Sequence, residues 1–154
     1  MKTIALALAM ALAASAVPGT AQAAPLCEGS KLGFAGLLAK CNRGEPIKLT
    51  LASGKPLYEG EQPVQLQSGA YYELHIEADG SAELAIAGPE FLRSIWMNEI
   101  VINDIEVRPM AIDSIEFDNA GLVKFSFVAI KPGRFDLRIP NTTGESQRVS
   151  LVIQ

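Results

Sequence analysis

Histidine occurs once, at His75, and cysteine twice, at Cys27 and Cys41. That count excludes zinc fingers, three-histidine zinc centres and iron–sulfur clusters, which all need more nitrogen and sulfur donors. Runs of basic residues are absent. The formal net charge is −4, one unit more negative once Lys2 leaves with the leader described below. Nothing here tracks a phosphate backbone, so a nucleic-acid partner is not expected. The G-x-S-x-G elbow and the H-E-x-x-H zinc motif are missing. Beyond the leader no apolar run approaches eighteen residues, so no membrane span is expected in the mature chain. What is present is 154 residues with 49% hydrophobic and 19% charged. This is the composition of one folded domain, not of a disordered chain.

The first 23 residues carry the three parts of a secretory leader. Met1-Lys2-Thr3 is a basic start, Ile4 to Ala16 an apolar run of thirteen, and Ala21-Gln22-Ala23 an A-x-A cleavage site. The apolar run is too short to cross ~30 Å of hydrocarbon. A lipoprotein would need a cysteine at the mature start, and Cys27 lies four residues past the cleavage site. The expectation is export through a cleaved signal peptide, residues 1–23, to a bacterial periplasm.

In that oxidising compartment Cys27 and Cys41 are expected to pair. Thirteen residues separate them, and closing a loop of that size is worth ~3 kcal/mol in the chain-entropy account. Residues 24–44 then form an N-terminal segment tied by the disulfide, with a short helix or ordered loop over Ser30 to Lys40.

From residue 45 the period is two. Ile47, Leu49 and Leu51 alternate with polar neighbours. So do Tyr72, Leu74 and Ile76, and near the end Phe135, Leu137 and Ile139, then Val149, Leu151 and Ile153. Asp79-Gly80 reads as a hairpin turn. Pro89 to Trp96 reads as the one short helix, opened by proline and an acid. Eight or nine short strands with turns every 8–12 residues predict an all-β antiparallel Greek-key sandwich or barrel.

Residues 45–154 resemble the cupredoxin family. The resemblance rests on the apolar strand Phe125-Ser126-Phe127-Val128-Ala129, the turn Pro132-Gly133, the aromatic Phe135 and the closing strand Val149 to Ile153. It implies a β-sandwich with a copper-ligand loop before the last strand. A type 1 site needs two histidines and a cysteine thiolate, commonly with methionine. The position matching the family's cysteine is Ile139. The loop from Pro140 to Ser146 holds neither histidine nor methionine, and the early histidine position falls near Ala82 or Glu83. The resemblance is therefore to a cupredoxin-like domain without the blue-copper ligands.

Several residues are candidates for function. Glu73, His75 and Glu77 share one strand face, ~6.6 Å apart in succession, and imidazole with carboxylate suits Cu(II) or Zn(II). Met97 and Met110 offer thioether sulfur for Cu(I). Trp96 and Arg93 are residue types that anchor protein partners, although a tryptophan at a helix end also serves as a plug over a sandwich core. The acidic stretch 99–118 lacks a calcium-loop pattern. The expectation is an exported, non-catalytic binding or accessory module acting through a protein partner, with no cofactor. The alternative is a periplasmic copper-handling protein with a non-standard site drawn from His75, Met97, Met110 and nearby carboxylates.

Overall fold

The computed structural model describes residues 36–154. The leader, Cys27 and most of the segment 24–44 lie outside the described residues. Ten strands and one helical turn follow in chain order: β1 (Ile47–Leu51), β2 (Val64–Leu66), β3 (Tyr71–Ala78), β4 (Leu84–Ala87), α1 (Pro89–Leu92), β5 (Ile95–Ile102), β6 (Ile105–Val107), β7 (Ser114–Phe117), β8 (Gly121–Ala129), β9 (Gly133–Arg138) and β10 (Arg148–Ile153). They form two five-stranded sheets, ordered β1-β3-β8-β5-β6 and β2-β10-β9-β4-β7. Most neighbours are antiparallel. Each sheet also carries one parallel pair, β1 with β3 and β2 with β10, because the chain crosses between the sheets instead of folding straight back.

The period-two residues fill the space between the sheets. On β3, Tyr72, Leu74 and Ile76 are fully buried; on β8, Phe125 and Phe127 are; on β10, Val149, Leu151 and Ile153 are. Each such side chain gains ~1.5–3 kcal/mol from burial. Phe127 is the aromatic hub. Its ring centroid lies 5.5 Å from Phe91 in an edge-on arrangement, 5.8 Å from Tyr72 and 5.8 Å from Phe125. Burial pushes the Tyr72 phenol above its usual pKa, against a partly compensating hydrogen bond donated by the Gln67 N–H at 2.8 Å.

Three expectations are corrected in detail. The turn at Asp79-Gly80 is not a hairpin, since β3 belongs to one sheet and β4 to the other. Gly80 is still required there. Its φ is +75°, and a Cβ would stand 2.8 Å from the Ala120 nitrogen. The true two-residue hairpin joins β5 to β6 through Asn103 and Asp104, with φ of 50° and 63°, the geometry of a type I′ turn. The helix expected over 89–96 stops after one turn. The Ser94 hydroxyl donates back to the Glu90 carbonyl at 2.8 Å, and the Ser94 carbonyl accepts the N–H groups of Ile130 and Lys131. Ile95 and Trp96 then open β5. Finally, the plug over the core is Phe91, fully buried, and not Trp96, which is 49% exposed.

The last residues before β1 are built into the sandwich. Asn42, in a 3-10 turn (Lys40–Asn42), is 1% exposed. Its side-chain amide donates to the carbonyls of Leu37 and Gly69 at 2.8 and 2.9 Å.

Candidate functional site on the outer face of the first sheet

The outer face of the β1-β3-β8-β5-β6 sheet gathers most of the candidates. Side chains on one strand face alternate, so the residues between the core positions of β3 point outward: Tyr71, Glu73, His75 and Glu77. Their cross-strand neighbours on β8 are Val128, Ser126, Lys124 and Leu122. Trp96 stands opposite Val128 and Val101 opposite Lys124 on β5.

At one end of this face is an aromatic patch. Val128 is fully buried and Tyr71 is 2% exposed, although neither faces the core between the sheets. Trp96 is the neighbour of Val128, and Ile130, just past the end of β8, is 49% exposed. Arg93 lies beside them in sequence, 72% exposed, in an open ion pair with Asp113 at 3.4 Å. The strand is irregular between Met97 and Glu99. This bulge turns Asn98 so that its amide donates to the Ser126 hydroxyl at 3.1 Å.

Toward the other end is a polar chain. Arg43 stacks on the Tyr71 ring at 4.6 Å and bonds Glu73 Oε1 at 3.3 Å. The other oxygen, Glu73 Oε2, is 2.9 Å from His75 Nε2. His75 has Lys48 on one side and Lys124 on the other in the strand register. A cleft of about 450 Å³ opens beside it, lined in part by Lys48, Thr50, Tyr58, Glu59, His75 and Glu77. A carboxylate on one imidazole nitrogen orients the ring.

The structure separates the rest of the proposed copper set. Glu73 is engaged by Arg43. Met97 pairs with core-facing Phe127 and packs against the core, on the opposite side of the sheet from His75. Met110 is fully exposed in the loop after β6. Among the described residues no three of His, Cys, Asp or Glu are grouped to hold a metal ion. A non-standard site built from His75 with both methionines is therefore not assembled. Arg43, Lys48, Tyr58 and Glu59 were not singled out from sequence. They reach the cleft only through the parallel pairing of β1 with β3 and the loop after β1, and no local pattern announces either.

The end of the sandwich where the resemblance puts a blue-copper centre is closed by other means. Ile139 is buried, and its N–H bonds the Gln147 carbonyl at 3.0 Å. The Thr142 hydroxyl donates to the Ile139 carbonyl at 2.6 Å, and the Leu57 N–H to the Ser146 carbonyl at 2.7 Å. Ile139, the position that the resemblance matches to the family's cysteine, is thus a buried hydrocarbon side chain.

No protein-family model and no curated protein sequence matches the chain. Solved structures do. A blue copper oxidase from Nitrosomonas europaea superposes with a TM-score of 0.50 at 13% identity, covering 70% of this chain and 43% of that one. A multicopper oxidase from Campylobacter jejuni gives 0.49 at 7% identity, covering 72% of this chain and 30% of that one.

The fold is cupredoxin-like. This chain spans less than half the length of the oxidases it resembles. The expectation that the chain is not an enzyme is overturned by those neighbours, which are oxidases, and a non-catalytic role is withdrawn. At such low identity the likeness carries the architecture alone. No helix among the described residues is long and apolar enough to cross a membrane.

Proposed function

We propose that this chain is an exported cupredoxin-like domain that works in the periplasm bound to a protein partner, through the outer-face patch of Trp96, Ile130 and Arg93. The observation that carries this reading is the exposure of Trp96, 49%, on the outer face of β5 beside the exposed Ile130. Exposed tryptophan beside arginine is the composition that anchors protein interfaces. Export is supported by the leader at residues 1–23, which lies outside the described residues. The test is site-specific photo-crosslinking from position 96 in cells that export the chain, with position 118 as control. A discrete heterologous adduct from 96 alone supports the reading; identical patterns from both positions contradict it.

A second reading, copper handling, has one observation in its favour: the Glu73–His75 pair beside a cleft. It predicts a rise in melting temperature with Cu(II) that His75→Ala removes. Binding at 100 times Kd adds ~2.7 kcal/mol, so absence of any shift sinks it.

A further inference from the structure

The free edge of the first sheet is a different surface from the Trp96 patch. Among the described residues β6 is the last strand of its sheet and pairs with β5 alone. Around the two-residue turn Asn103-Asp104, Ile102 with Ile105 and Ile100 with Val107 are the hydrogen-bonded pairs. The backbone N–H and C=O of Glu106 therefore point away from the sheet; Arg108 follows directly after the strand's last residue, Val107. Ile102, Ile105 and Val107 share the face of Ile100, which is 6% exposed. They are themselves 41%, 65% and 44% exposed. An edge with unused backbone donors and an apolar face is a template for another strand.

We propose that two copies of this chain pair antiparallel through β6, about a two-fold axis at Val107. Residues directly opposite in such a ladder share a sheet face, so Glu106 meets Arg108 of the second copy, twice. Glu106 presents its backbone groups outward, and extending β6 by one residue on pairing would give Arg108 the same direction, as a hydrogen-bonded pair requires. Pro109, which has no N–H, falls opposite Ile105 of the second copy at a position that needs none. The alternative register, about Glu106, stacks that carboxylate on its own copy and is disfavoured. In the single chain Arg108 contacts Glu106 at 3.3 Å and Glu99 at 3.2 Å. The Arg108–Glu106 pair is exposed and contributes little, so its exchange for pairs across the axis costs little. The pairing also joins the Ile105–Val107 strips of the two copies into one apolar face.

The test is sedimentation equilibrium of the full mature chain over micromolar to submillimolar concentrations, with melting temperature as a folding check. Wild type is expected to dimerise. Glu106→Lys and Arg108→Glu each place like charges across the axis twice and are expected to weaken the dimer roughly tenfold. The double variant reverses every pair and is expected to return to near the wild-type constant. Glu106→Pro removes the outward N–H without touching the β5 ladder and is expected to abolish dimerisation. A wild type that stays monomeric throughout overturns the proposal. So does a dimer indifferent to both single charge changes, or a double variant no better than either single one.

Discussion

Trp96 stands directly opposite Val128 in the β5–β8 ladder, and the two differ sharply in exposure: Val128 is fully buried while Trp96 keeps 49% of its surface in water. Both lie on the outer face of the sheet, away from the core. Val128 lies between Tyr71 and Trp96 in the register, and of the three only the tryptophan is exposed, which makes its face the candidate interaction surface.

Trp96→Ala should lower folding stability by only about 1 kcal/mol, since half of the side chain never left water. Phe91→Ala should cost about 3–5 kcal/mol, because it empties a fully buried site against Phe127 and Phe135. Urea unfolding of the two variants checks the contrast. Equal losses would mean that Trp96 is structural and that the partner surface lies elsewhere.

The carboxyl of Asp79 is held below its ordinary pKa, first by the Ser81 hydroxyl, then by the Ser81 backbone N–H, which donates at 2.9 Å, and to a lesser degree by the Lys55 charge. A depressed folded-state pKa gives a contribution present above the ordinary value of ~3.9 and lost as pH falls through the depressed one. Ser81→Ala should move the Asp79 pKa upward toward that ordinary value. An NMR titration of the Asp79 side chain reads it directly, and an unchanged midpoint would show that the Ser81 hydroxyl plays no part.

Export and oxidation are checked together by mass. Chain recovered from periplasm should begin at Ala24 and titrate no free thiol, with Cys27 joined to Cys41. Reduction should then lower stability by ~3 kcal/mol. Two titratable thiols in the native protein would refute the pairing, and an intact Met1 would refute cleavage.

Much of the sandwich was legible because burial imposes a period of two. The alternation of Tyr72, Leu74 and Ile76 names the core face of β3 without any knowledge of its neighbours. Sheet membership was not legible. Asp79-Gly80 has the chemistry of a hairpin turn, yet whether a strand folds back or crosses to the other sheet depends on long-range partners, here β8 for β3 and β7 with β9 for β4. Trp96 followed the same logic. Pro89-Glu90 does start a helix, but Ser94 surrenders its carbonyl to the turn after β8, and that contact spans more than thirty residues. His75 was visible as a candidate. Its clamp by Glu73 and Arg43 was half visible, since Glu73 is two residues away on the same face whereas Arg43 arrives from the segment before β1.

Whether the Trp96 face meets another protein is read by crosslinking from position 96. A photoreactive residue at 96, in cells exporting the chain, should yield one discrete adduct larger than the chain alone. Arg93→Glu should weaken that adduct, and a photoreactive residue at 118 should not give it. No adduct from 96 beyond that seen from 118 would contradict the account.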